Sequence, residues 1–316
     1  MKKAVKRPLE MEIFMSARYY SFPEYCRKNF GGKLYKTPLD AGMTCPNRDG
    51  TLGNRGCVFC GAGGSGDFAI SYDGQRLTEK DLLYNKKGRP GDYIAYFQSY
   101  TNTYAPIPRL RYLFDRALSD PLFAGISIGT RPDCVGDEVL RLLAELNRAY
   151  PNKFIWVEFG LQTIHEDTAR YIRRGYPLSV FDRSVLAMSE IGVPVTAHVI
   201  IGLPGEDKAR ILETVRHLSA LPISGVKLQL LHILRGTDLE TDFEKTRFHV
   251  LSLPEYADII ADCIANLRPD IVIHRLTGDG SRADLVSPLW SLDKRKVLNT
   301  INHELAVRNI TQGSAL

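Results

Sequence analysis

The stretch LYKTPLDAGMTCPNRDGTLGNRGCVFCGAGGSGDF, residues 34–68, decides how the rest of the chain is read. Its first seven residues are a short strand-like run, and the cysteines that follow, Cys45, Cys57 and Cys60, stand in a C-x11-C-x2-C arrangement. The close pair can grip one metal centre from a tight turn, and the long loop brings the third thiolate round. Seven glycines (Gly50, Gly53, Gly56, Gly61, Gly63, Gly64, Gly66) let the backbone fold closely and aim N–H groups at sulfur. Hydrogen bonds of that kind tune an iron–sulfur potential. A structural zinc site would need a fourth ligand. No Cys or His follows Cys60 until Cys134, and Cys26 lies upstream in an expected helix. Three inert, buried thiols are the other alternative, and a glycine-rich polar loop does not bury them easily. Three thiolates suit a [4Fe–4S] cluster with one iron left open.

Outward from this loop, the chain alternates short apolar runs with amphipathic stretches. The runs are YIAYFQ (93–98), AGISIG (124–129), FIWVEFG (154–160), VPVTAHVII (193–201) and GVKLQLLHI (225–233). Helical patterns fall between them at Ile107–Leu118, Asp137–Ala149, Val180–Ile191 and Lys208–Leu221. Near-continuous apolar strands separated by helices imply a parallel sheet buried on both faces. Counting 34–40 as the first strand, six units predict an α/β fold, a partial (β/α)6 TIM-type barrel over residues 33–235. Residues 1–32 form a basic N-terminal extension. Residues 236–316 form a C-terminal α/β appendage that closes the barrel, with helices near Pro254–Leu267 and Asp293–Val307 around the run IVIHRL (271–276).

The composition excludes several classes. With 44% hydrophobic and 24% charged residues, the 316-residue chain is globular, neither disordered nor fibrous. No apolar run is long enough to span a membrane, and the start lacks a secretory signal. A soluble, cytosolic protein with no membrane partner is expected. In that reducing setting six cysteines point to a metal or catalytic site and not to disulfides. Cys134 and Cys263 read as incidental. The net charge of +5 belongs to the N-terminus, where residues 1–36 carry nine basic side chains against three acidic. Lys2, Lys3, Lys6 and Arg7 lead that segment, and Phe14, Tyr19, Tyr20, Phe22, Tyr25, Phe30 and Tyr35 interleave with its charges. Such a segment can touch phosphates and stack on bases. The alternative is a solvated helix whose rings cap the end of a barrel.

On the cysteine triad after a first barrel strand, the chain resembles a radical S-adenosylmethionine (SAM) enzyme. The CPNRDGT motif is similar to that of a bacterial subfamily beside the Elongator catalytic subunit, which modifies tRNA wobble uridines. The likeness runs from Phe30 over nearly the whole chain. It implies a [4Fe–4S] cluster on Cys45, Cys57 and Cys60 whose open iron chelates the methionine part of SAM. An external reductant of flavodoxin or ferredoxin type is implied as well. It also implies tRNA as substrate, with carboxymethylaminomethyluridine converted to aminomethyluridine after hydrogen abstraction beside the substituent's nitrogen. A small metabolite as substrate, and a non-catalytic zinc-dependent nucleic-acid-binding module, are the rival readings.

Parallel strands deliver functional residues at their carboxyl ends. After the second strand Gln98, Ser99 and Thr101 can hydrogen-bond the SAM amino group, where many relatives carry GGE. The third strand ends in GTRPDC, whose Arg131 can pair with a carboxylate or phosphate while Asp133 orients it. Glu158 inside an apolar strand needs partners. The resemblance sets it with Gln162 against the SAM ribose and methionine part, and a buried ion pair is the alternative. Gly202 and Gly205 let the backbone approach a flat ring and Ile200 and Ile201 supply apolar surface, where the resemblance sets the adenine of SAM. His198 points from the same strand and joins this cofactor site, a satisfied core histidine being the alternative. Lys227 and His232 of the sixth strand join Arg131 as candidates for catalysis. His274, Arg275 and Asp279 are candidate substrate or lid residues.

Overall fold

Short apolar runs become parallel strands in this chain because helices cover the faces of the sheet they build. The computed structural model describes residues 18–64, 66, 68–78, 81–82, 90–278, 280 and 282–316. Lys2, Lys3, Lys6, Arg7, Phe14 and Asp279 lie outside the described residues. In chain order the elements are α1 (Phe22–Phe30), β1 (Tyr35–Asp40), β2 (Ile70–Ser71), β3 (Tyr93–Phe97), α2 (Ile107–Ser119), β4 (Phe123–Thr130) and α3 (Asp137–Ala149). There follow β5 (Phe154–Gln162), α4 (Glu166–Tyr171), α5 (Leu178–Glu190), β6 (Val195–Ile201), α6 (Lys208–Ala220) and β7 (Gly225–Leu230). The chain ends with β8 (Ile233–Leu234), α7 (Asp238–Thr246), α8 (Leu253–Ala265), β9 (Val272–Arg275), β10 (Leu285–Ser287) and α9 (Lys294–Val307).

Eight strands pair in parallel in the order β2-β1-β3-β4-β5-β6-β7-β9, while β8 and β10 form a separate antiparallel pair. The architecture is the α/β partial barrel that the spacing predicts, with all six strands present. It is longer at both edges than the run count suggests. The two residues of β2 carry no readable period, and β9, read with the appendage, hydrogen-bonds to β7 in the main sheet. The helices follow their apolar spacing: α3 buries Val139, Leu142, Leu143 and Leu146, each worth about 1.5–3 kcal/mol of transfer energy. A capping box starts α8, with Ser252 Oγ accepting from the Glu255 amide while Glu255 accepts from the Ser252 amide. The short helices α4 and α7 show too little stripe to be read in advance.

The aromatic residues of α1 pack on the barrel. Ser21 caps α1, Gly31 ends it in the left-handed region at φ 71°, and the helix lies across the N-terminal end of β5. There Phe22, Tyr25 and Phe30 pack their rings around Trp156 at 5.8, 5.7 and 6.3 Å, and Phe22 stacks on His274 at 4.6 Å. Gln312 fastens the arrangement from the far end of the chain. Its Oε1 accepts from the Tyr20 amide at 2.8 Å, and its Nε2 donates to the Arg268 and Ile271 carbonyls. In the described part of the extension, Phe22, Tyr25 and Phe30 close one end of the barrel. No helix among the described residues is long and apolar enough to cross a membrane.

Candidate active site

At the opposite end, after β1, the motif around Cys45 folds on its own hydrogen bonds. The Arg48 and Asp49 amides donate to the Cys45 carbonyl, and those of Leu52 and Gly53 donate to the Pro46 carbonyl. Asp49 Oδ1 accepts from the Thr51 amide, closing an Asx turn. The Cys60 amide donates to the Cys57 carbonyl at 3.0 Å, making the tight turn that the C-x2-C spacing asks for. Gly56 is needed twice: it lies at φ 73°, and a Cβ there would meet the Arg48 guanidinium. Arg48 in turn donates to the Cys60 and Gly61 carbonyls at 2.9 and 2.7 Å.

The three thiols line one cavity of about 880 Å³ that runs down into the barrel, a size that holds a cofactor-scale ligand. Asn47 Nδ2 donates to Cys57 Sγ at 3.5 Å and to the Arg173 carbonyl at 2.7 Å. Burial pushes the Cys57 thiol up to about 11, with Cys60 beside it adding to the rise. A bound cation would reverse that balance, because a coordinating thiol gives up its proton. Among the described residues no three His, Cys, Asp or Glu side chains converge on a single metal ion. Three sulfurs lining one cavity suit a multi-iron cluster with an open iron better than a closed four-coordinate zinc, which needs a fourth ligand. A second fitting observation is Gln162, which lines the cavity at φ 69°. Its Oε1 is buried and finds no hydrogen-bond partner among the described residues. An orphaned acceptor in strained backbone is the kind of group a ligand satisfies.

Deeper in the barrel β1 and the five strands β3 to β7 each contribute one polar side chain to an interior layer. The strand period of two puts Lys36, Tyr96, Ser127, Glu158, His198 and Lys227 on the inward face. Their order follows the register, with Tyr96 opposite Ser127 and His198 opposite Lys227, itself opposite Arg275. Glu158 is 1% exposed and accepts from Lys36, Lys227, Ser127 Oγ at 2.8 Å and His198 Nε2 at 2.8 Å. Burial alone would raise its carboxyl, but Lys227 and Lys36 beside it hold it well below the usual carboxylate range. Burial lowers the Lys227 ammonium's hold on its proton; Glu158 opposes this, while Lys36 and Arg275 add to it. Burial, then Lys227, pushes His198 down to about 4, so its ring is neutral.

Most of the residues picked from the sequence face this cavity. Cys45, Cys57, Cys60, Gln98, Thr101, Arg131, Glu158, Gln162, His198, Lys227 and His232 all line it. Arg131 pairs bidentately with Asp133 at 2.9 and 2.7 Å and lies over the Tyr176 ring at 5.2 Å. Ser99 is buried away from the cavity wall, with Gly66 packed against its hydroxyl. Gly202, at φ 93°, turns the chain between Leu231 and Leu251 just outside the wall. The His232 Nδ1 accepts from the Gly280 amide at 3.1 Å. The sequence reading passed over Lys36, Tyr96 and Arg282 in the cavity wall, and Asn47 and Arg48 as partners of the cysteine turn. Lys36 carried a usable signal: a charged residue in a first strand raises the same question of partners that Glu158 did.

The family model of the radical SAM superfamily matches residues 50–218, and that of the Radical_SAM C-terminal domain matches residues 223–306. The chain is 41% identical over 299 residues to the uncharacterized protein YtqA of Bacillus subtilis, covering 94% of this chain and 92% of that one. It is 28% identical over 158 residues to the tRNA uridine(34) acetyltransferase of Dehalococcoides mccartyi, covering 49% of this chain and 33% of that protein. The solved Elp3 of Methanocaldococcus infernus superposes with a TM-score of 0.60 at 14% identity, over 70% of this chain and 55% of that one, a likeness of fold.

Proposed function

The chain belongs to the radical SAM superfamily, and from that premise we propose that it modifies the 5-substituent of the tRNA wobble uridine, taking carboxymethylaminomethyluridine to aminomethyluridine. When bound, a [4Fe–4S] cluster and SAM supply a 5′-deoxyadenosyl radical that takes a hydrogen atom from the substrate. In this reading Cys45, Cys57 and Cys60 hold the cluster. Gln98, Thr101 and Gln162 hydrogen-bond SAM, with Ser99 and Gly202 shaping the wall behind it. Arg131, kept straight by Asp133, pairs with an anionic group near the thiols. Lys227 and His232 face the substrate. A flavodoxin- or ferredoxin-type protein delivers the electron.

The observation that carries the reading is the charge of the cavity. Among its described lining residues eight are basic and one, Glu158, is acidic. Such a wall favours a ligand carrying negative charge, and nucleic acid is the densest source of it. The likeness over half the chain to a protein named tRNA uridine(34) acetyltransferase supports the same substrate. Nucleoside mass spectrometry of tRNA from strains with and without the gene tests it. Carboxymethylaminomethyluridine should accumulate at the wobble position without the gene; unaltered wobble uridines would end the proposal.

A further inference from the structure

Two segments of the C-terminal appendage bound the same cavity as the thiols. In the first, β8 and β10 pair as a short antiparallel ribbon, and the Arg235 amide donates to the Asp284 carbonyl at 2.7 Å. That bond brings Arg235 and Arg282 to one end of the ribbon, where Leu234 and Arg282 line the cavity. In the second, the chain turns after β10 and enters α9, and Ser291, Leu292 and Lys294 line the cavity. Trp290 fixes that turn by donating Nε1 to the Leu251 carbonyl at 3.0 Å, and Val297, Ile301 and Leu305 seat α9 on the core. The start of α9 is therefore held at the cavity's rim, with Arg295 and Lys296 exposed beside Lys294.

These segments carry cations that the fold does not use. Residues 282–296 hold Arg282, Lys294, Arg295 and Lys296 against Asp284 and Asp293. Asp293 is engaged as the N-cap of α9, accepting from the Lys296 amide at 3.0 Å. The exposed side chains of Arg235, Arg282, Arg295 and Lys296 pair with no carboxylate among the described residues. By contrast, Arg308 of the same appendage binds Asp258 and Asp262, and Arg268 binds Asp270. Three cations in a first helical turn also oppose the helix dipole, where α3 and α7 place acidic residues. Exposed cations kept against local electrostatics mark a surface that has a partner.

We propose that Arg235, Arg282, Arg295 and Lys296 form a phosphate-binding rim that grips the RNA strand beside the nucleotide entering the cavity. The proposal rests on the wobble-uridine reading and names the surface by which that substrate is held. A nucleotide turned out of its strand into a pocket leaves its neighbours' phosphates at the pocket's edge. The rim cations are placed to meet them, and guanidinium groups suit phosphate oxygens bidentately. Contacts of this kind set register and depth and carry no sequence information. Reading of the base is left to the cavity wall, while the rim supplies affinity that falls as salt rises.

The experiment titrates the reconstituted protein into a fluorescent anticodon stem-loop RNA with uridine at the wobble position, reading anisotropy over a series of salt concentrations. Two double variants remove rim charge, Arg235→Gln with Arg282→Gln and Arg295→Gln with Lys296→Gln. A third, Arg141→Gln with Arg148→Gln, removes the same charge from the exposed side of α3. Urea midpoints report that each variant is folded. Each rim pair should weaken binding about tenfold at about 0.1 M salt, and make the plot of log affinity against log salt shallower by about 1 to 1.5. The loss should be the same for a stem-loop with cytidine at that position, and the α3 pair should bind as wild type does. Wild-type affinity and slope in both rim pairs overturn the proposal, as does an equal loss in the α3 pair. A loss confined to the uridine RNA overturns it too, because the rim would then be reading the base. Flotation with phosphatidylglycerol vesicles tests another polyanion: vesicle binding lost in the rim pairs, with RNA binding unchanged, overturns the RNA surface. The wobble-uridine reading falls by its own test, unaltered tRNA in the deletion strain. Altered tRNA together with undiminished RNA binding in the rim pairs sinks the rim alone.

Discussion

Asn47 holds two parts of the mouth together with one amide group, giving one hydrogen to Cys57 Sγ and the other to the Arg173 carbonyl. Donors to ligand sulfur stabilise the reduced, more negative cluster. Asn47→Leu should therefore retain the cluster's visible spectrum while moving its reduction potential to a more negative value in a redox titration; an unchanged potential would show that the contact is only structural. His198 offers a test of the interior. Its ring titrates near 4 in the folded chain against the usual 6.5. Between those values the unfolded chain binds a proton that the folded chain refuses, so stability rises with pH and is lost on acidification. At pH 5 this one ring accounts for about 2 kcal/mol of the loss. Urea midpoints should drop from pH 7 to pH 5 in the wild type and drop less in His198→Gln. Equal drops would place the acid sensitivity elsewhere in the layer.

The helix α1 and strand β5 meet through rings, not through a ladder, and Trp156 is the centre of that contact at 4% exposure. Removing it leaves a void under Phe22, Tyr25 and Phe30, so Trp156→Ala should cost about 3–5 kcal/mol in urea denaturation. A loss under about 1 kcal/mol would mean that the rings repack freely. Elements with a full period were legible in the sequence. Asp137–Ala149 carries an apolar stripe and was read to the residue, because its stripe and its acidic first turn agree. Elements without one were not. The strand Val272–Arg275 is four residues long and ends in two polar side chains, so nothing local tied it to a sheet whose neighbouring strand lies some forty positions earlier. The site follows the same division. The cysteines announce themselves by spacing, whereas Lys36 meets Glu158 across 122 positions, and no one-dimensional pattern records that meeting.

At the scale of the whole molecule, the two ends of the barrel have different owners. The mouth is built from a local loop, residues 45–64, whose hydrogen bonds are mostly its own. The floor is assembled from both ends of the chain: Ser21 bridges Ile273, the Ile273 amide donates to the Tyr20 carbonyl, and Gln312 ties Tyr20 to Arg268 and Ile271. That division sets an order in time. During synthesis the three thiols leave the ribosome long before residue 273 exists, and at about 5–20 residues per second the interval is on the order of ten to forty seconds. Throughout it the floor is unsealed, because closing contacts of such sequence separation form late. Iron delivery to the nascent loop can then proceed before the contacts between the two ends of the chain have formed.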